Sequence, residues 1–196
     1  MIYLHRAFRS GVFFVLFFLA FKEMFAQVKI GDQAPAIKIT DWVQKNSKDT
    51  SLNGKFVIID FWATWCAPCL ASMAHVNELV EEFKQNENLV FLAMSDEPKE
   101  KISPLLSRVP FKASVVTDTS GYTQNDYSIT SIPDCVIIDD KGQVQWTGNP
   151  KYLTKSIIEG ILARKKIEMP NVNKRSKDAN EIRYDSLTRI YRSIYS

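Results

Sequence analysis

Residues 56–62, F-V-I-I-D-F-W, constrain the fold of this chain more than any other stretch. A continuous apolar run of that length reads as a strand covered on both faces, which calls for a sheet with packed layers above and below it. Asp60 is its only polar member. Over residues 68–85 the apolar positions Met73, Val76, Val80 and Phe83 recur every three or four residues, so a helix follows the strand directly.

The same alternation continues downstream. Residues 89–94 are a second apolar run, and Ser95, Asp96 and Pro98 form a start signal for a helix through 102–108. Residues 114–117 read as a shorter strand, followed by a turn at Ser120 and Gly121 and a brief helical or looped stretch to Tyr127. Strands at 135–138 and 144–147 flank Asp140, Lys141 and Gly142, a hairpin signal, and a last helix is expected over 152–165. Upstream, Gly31, Ala34 and Pro35 precede an alternation through Ile37 and Ile39 that predicts a first short strand, and 46–54 reads as a polar turn. Strands and helices in this order predict the α/β class, with a mixed central sheet flanked by helices.

A chain of 196 residues, 45% hydrophobic and 24% charged, has the composition of one globular domain with segments to spare. Arg6 and Arg9, an apolar run over 11–21 and Ala26 have the layout of a secretory signal cleaved after Ala26; an uncleaved membrane anchor is the alternative. The domain is expected over 27–168, and 169–196 is a basic tail in which Tyr184, Leu187, Tyr191 and Ile194 fall at helical spacing. Such a short helix would dock on its own domain or meet a membrane surface or partner. The net charge of +3 is concentrated at the two ends and the central domain is mildly acidic, so no nucleic-acid partner is expected.

Three cysteines are too few for a structural disulfide framework, and two of them lie in the C-x-x-C of Trp65-Cys66-Ala67-Pro68-Cys69, where the buried strand hands over to the helix. A cysteine at a helix N-terminus faces unpaired backbone N–H groups and the positive end of the dipole, which stabilise a thiolate. Cys66 is therefore the expected nucleophile. Cys69, one turn on and shielded by its helix, is the expected resolving thiol, and Pro68 suits the first turn. Zinc would need four ligands, and only Cys135 and His75 remain to add nitrogen or sulfur, so neither metal nor cofactor is expected. His75 reads as an exposed or half-buried helix residue, and Cys135 as a buried strand cysteine.

F-W-A-T-W-C-A-P-C resembles the active-site segment of the thioredoxin superfamily, in its exported TlpA-like and ResA-like branch. I-G-D-Q-A-P, S-V-V-T-D and S-I-P-D-C-V-I-I-D-D-K-G are similar to that branch in order and spacing, over roughly residues 28–165. The resemblance implies a thioredoxin fold and thiol–disulfide exchange, mostly as a reductase of protein or peptide disulfides supplied by a membrane electron donor, in the periplasm. It places Ile132 and Pro133 at the family's cis-proline loop, with Trp65 beside them as substrate-binding residues. It also matches Asp60 to the buried carboxylate that assists proton transfer at the second cysteine, a role that a lone acid in an apolar strand supports independently. Two positions depart from the branch: Ser72 stands where a glutamate is usual, which puts cytochrome maturation in doubt, and Ala74 where a proline often follows. Two other readings compete. A peroxide-reducing enzyme would share the fold, but Thr64 lies two residues before Cys66, whereas the peroxiredoxin motif expects three; a copper metallochaperone would need a distal histidine, and the domain has none after His75.

Overall fold

The computed structural model describes residues 28–46 and 51–165. The expected signal segment at 1–26 and the basic tail at 169–196 lie outside the described residues. The strands are β1 (Asp41–Gln44), β2 (Phe56–Phe61), β3 (Leu89–Ser95), β4 (Ser114–Thr117), β5 (Asp134–Ile138) and β6 (Val144–Gly148). The helices are α1 (Ala67–Phe83), α2 (Lys99–Leu106), α3 (Tyr122–Asp126) and α4 (Lys155–Leu162).

The strands form one sheet in the order β1-β4-β3-β2-β5-β6. β2, β3 and β4 run parallel, while β1, β5 and β6 are antiparallel to their neighbours. The mixed sheet and its flanking helices are the α/β architecture expected of the chain. β2 is central, and all six of its residues are buried. Its alternate residues serve two cores. Phe56, Ile58 and Trp62 join Leu70, Met73, Val76 and Leu79 of α1 and Ile157, Ile158 and Ile161 of α4. Val57, Ile59 and Phe61 join Val116, Tyr127, Val136 and Ile138 on the other face, under the N-terminal segment. Continuous burial thus explains why the run shows no polar alternation.

Most element ends fall within two residues of the sequence expectation, and two elements differ by more. The first strand is not at Ile37 and Ile39 but at Asp41–Gln44, which pairs with β4. Ile37 and Ile39 alternate in burial because they lie as a cover on the second core, with Tyr127 Oη donating to the Pro35 carbonyl at 2.8 Å. The periodicity was that of a covering segment, and the ladder begins where Thr40 N–H reaches the Thr117 carbonyl at 2.7 Å. The last helix starts at Lys155: Pro150–Tyr152 is a separate 3-10 turn, and Thr154 caps α4 by accepting from Ile157 N–H. In the hairpin, Asp139 Oδ1 accepts from Lys141 N–H and Gln143 N–H, both at 2.9 Å, and Gly142 takes φ +80°.

This topology positions the site. The C-terminal ends of β2 and β3 and the N-terminal end of β5 meet at one edge of the sheet, because β5 runs antiparallel to β2 with Phe61 opposite Asp134. Loops leaving that edge are brought together whatever their separation in sequence.

Candidate active site

Cys66 and Cys69 are joined by a disulfide, with Cα atoms 5.2 Å apart. Cys66 is the N-cap of α1 and Pro68 lies in its first turn, as the sequence predicts. Cys66 Sγ accepts from Cys69 N–H at 3.2 Å, the contact through which a helix N-terminus stabilises sulfur carrying negative charge. Cys69 is 1% exposed and Cys66 3%, whereas the adjacent Trp65 is 68% exposed, so the disulfide is nearly buried while the neighbouring indole stands in solvent. The Ile132–Pro133 peptide is cis. Pro133 leads directly into β5 at the edge where β2 ends, so the topology brings Trp65, Ile132 and Pro133 to the same end of the sheet as the disulfide.

Asp60 is buried on the face of β2 that also carries Ile58 and Trp62, the face shared with Cys66, Cys69 and Cys135. Burial, with the Asp134 carboxylate adding to it, pushes its pKa up to about 8. Its Oδ1 has no hydrogen-bond partner among the described residues. Cys135 sits opposite Asp60 in the β2–β5 register, is buried and forms no disulfide. Burial, then the charges of Asp60 and Asp134, raise its thiol well above the ordinary value, so it is held as a neutral thiol in a strand.

Ser72 is wholly buried one turn beyond Cys69, and its hydroxyl donates to the Cys69 carbonyl at 2.7 Å. His75 is half-buried, with Nε2 2.7 Å from the Leu153 carbonyl; this contact ties α1 to the turn before α4. One residue of the site escaped the sequence reading. Glu97, past the end of β3, accepts from Thr64 N–H at 2.5 Å and from the Thr64 hydroxyl at 2.9 Å. An acid just before a helix is ordinary N-terminal chemistry, so S-D-E-P carries no sign that this one turns toward the cysteines.

A six-stranded mixed sheet of this kind, with a disulfide across C-x-x-C at a helix start and a cis-proline at the same end of the sheet, defines a thiol–disulfide oxidoreductase of the thioredoxin type. The chain belongs to the AhpC/TSA family, whose profile matches residues 30–147. Among curated proteins it is similar to the thiol-disulfide oxidoreductase ResA of Bacillus anthracis, 31% identical over 149 residues, covering 75% of this chain and 83% of that protein. The ResA of Geobacillus kaustophilus is 28% identical over 141 residues, covering 72% of this chain and 75% of the relative. A thiol-disulfide oxidoreductase structure from Bacteroides fragilis has the same fold, with a TM-score of 0.54 at 19% identity over 68% of this chain and 98% of that one. These likenesses favour disulfide exchange over the peroxide and copper readings.

Proposed function

We propose that the protein reduces disulfides in exported proteins or peptides, with Cys66 as nucleophile and Cys69 as resolving thiol. The observation that carries this reading is the placement of Cys66 at the N-cap of α1 with its sulfur on the Cys69 N–H. In the reduced enzyme the Cys66 thiolate attacks one sulfur of a substrate disulfide, and the other sulfur leaves as a thiolate that takes up a proton. Cys69 then gives up its proton and attacks Cys66 Sγ. This closes the Cys66–Cys69 disulfide and releases the second substrate thiol. Two electrons pass from the dithiol to the substrate, and a membrane electron donor restores the dithiol.

Asp60 is the base proposed for Cys69. A carboxyl with a pKa of about 8 is near neutrality, where it can accept a proton in one half of the cycle and return it in the other. Trp65, Ile132 and Pro133 form the proposed docking surface, on which the extended main chain of a substrate pairs with little regard to its side chains. The periplasmic setting follows from the secretory-signal layout of residues 1–26 and from the resemblance to exported relatives. Among the described residues no helix is long and apolar enough to cross a membrane.

Trapping tests the reading. Cys69→Ser is expected to accumulate mixed disulfides through Cys66 in exporting cells, and Cys66→Ala to abolish exchange with a model disulfide, while Cys135→Ala keeps most of it. Comparable loss in the Cys66 and Cys135 variants would overturn the assignment of roles.

A further inference from the structure

The turn that carries Cys66 is held at both ends. At one end Trp62 N–H donates to the Met94 carbonyl at 3.0 Å, extending the β2–β3 ladder by one residue. At the other end lies the disulfide, with Cys66 N–H on the Ala63 carbonyl at 3.1 Å. Between them Glu97, only 6% exposed, reaches across from the end of β3. Its Oε2 accepts from Thr64 N–H at 2.5 Å, and its Oε1 accepts from the Thr64 hydroxyl at 2.9 Å. Lys101 Nζ closes an ion pair with Oε1 at 2.5 Å, and Glu97 N–H is itself fixed on Ser95 Oγ at 3.2 Å.

A buried carboxylate is costly unless it is paired and hydrogen-bonded. Burial works against the Glu97 charge, but the bonds from Lys101 and from Thr64 N–H and hydroxyl outweigh it and hold the carboxyl below its ordinary value. Both oxygens are committed, and two of the donors belong to the residue two places before Cys66. The ammonium of Lys101 offsets the anionic charge, so the anchor does not oppose a thiolate nearby.

We infer that Glu97 is a positioning residue for disulfide exchange, holding the Thr64-Trp65-Cys66 turn in its reactive shape when the disulfide is open. This rests on the exchange function proposed above. In the oxidised protein the Cys66–Cys69 bond itself restrains the turn from the helix side. Reduction removes that restraint and leaves the backbone bonds of Cys66, from its N–H to the Ala63 carbonyl and from Leu70 N–H to its own carbonyl, with the Glu97 clamp on Thr64 as the side-chain anchor that holds the rest of the turn against them. Loss of the clamp therefore falls mainly on the reduced form, the form that attacks substrate.

The test compares Glu97→Gln, Thr64→Val and Thr64→Ser in the full chain. Gln replaces one accepting oxygen with a donor, Val removes the hydroxyl alone, and Ser retains it. The second-order rate constant of the reduced protein with a disulfide peptide should fall about tenfold in Glu97→Gln and severalfold in Thr64→Val, since small misplacements of a reacting group are expensive. Redox equilibrium against glutathione should shift severalfold away from the reduced form in both, and Thr64→Ser should restore both readouts. A variant that merely loses thermal stability, with rate constant and redox equilibrium unchanged, overturns the inference. Should Glu97→Gln fail to fold, Thr64→Val decides it by the same readouts. Absence of exchange in the wild type would instead sink the proposed function, so the two failures are distinguishable.

Discussion

Asp60 on β2 and Cys135 on β5 are direct partners in the antiparallel register, on the sheet face that also holds the Cys66–Cys69 disulfide. One face of the central strand therefore carries a carboxyl whose pKa burial raises to about 8, a thiol kept neutral by burial, and the redox pair, with Asp134 adding its charge from the strand end. The proposed proton chemistry of Asp60 would therefore share a single layer of side chains with the redox pair.

That layer sets a pH dependence of stability. The Asp60 pKa is raised from 3.8 in the unfolded chain to about 8 in the native state, so between those values the native protein holds a proton that the unfolded chain has lost. The stability from this group is complete below about pH 4 and is lost as pH rises toward 8. In the oxidised protein, where Cys66 and Cys69 do not titrate, Asp60→Asn should flatten this decline. The variant should exceed wild type above about pH 8, by roughly 2–5 kcal/mol. Urea midpoints across the pH range measure it, and parallel profiles for the two proteins would refute the assignment.

The same residue makes a kinetic prediction. Cys69 must lose a proton to resolve the mixed disulfide, whereas Cys66 attacks as a thiolate already stabilised at the helix start. Asp60→Asn should therefore slow resolution about 10- to 100-fold while slowing the first attack far less. Stopped-flow measurement of both steps decides it, and equal effects on the two would count against a proton role at Cys69.

How much of this could be read in advance depended on what each residue touches locally. The strand at 56–62, the helix after it and the roles proposed for Cys66 and Cys69 follow from apolar runs, period and the chemistry of a helix start, all written within about thirty residues. The placement of Pro133 and Asp60 came through resemblance, and the topology then accounts for it, since β5 enters beside the end of β2. Glu97 was not legible, because its contact with Thr64 spans 33 residues and depends on the parallel pairing of β2 with β3. Ile37 and Ile39 misled for a related reason: alternation reports which side is covered, not whether the backbone pairs.

Trp65 tests the docking surface. At 68% exposure it contributes little to the core, so Trp65→Ala should leave the melting temperature nearly unchanged. An aromatic side chain held at a binding edge is a common anchor, and its loss should raise KM for a peptide disulfide roughly tenfold with a smaller effect on kcat. A fall in kcat alone would place the indole in the chemical step instead.

Ser72 bears on the redox potential. It is wholly buried one turn beyond Cys69, and its hydroxyl is committed to the Cys69 carbonyl at 2.7 Å, so it neither carries charge nor exchanges protons with the thiols. A glutamate there would place an ionisable carboxyl on the turn after the resolving cysteine. When ionised it opposes a second negative charge, so Ser72→Glu should raise the apparent pKa of Cys66. Near neutral pH the reduced form is then less favoured by its thiolate, and the reduction potential moves to more negative values, by up to about 30 mV for each unit of thiol shift. The larger side chain also overpacks a buried site, at a cost of roughly 1–3 kcal/mol, and Ser72→Gln carries the same bulk without the charge. Thiols and carboxyl titrate as a coupled set, so absorbance of the thiolate against pH is fitted to macroscopic values. Redox titration against glutathione should separate Glu from Gln at position 72, with wild type the milder reductant than Ser72→Glu. Equal potentials for the Glu and Gln variants, or a more oxidising Ser72→Glu, would show that charge at this position does not govern the pair.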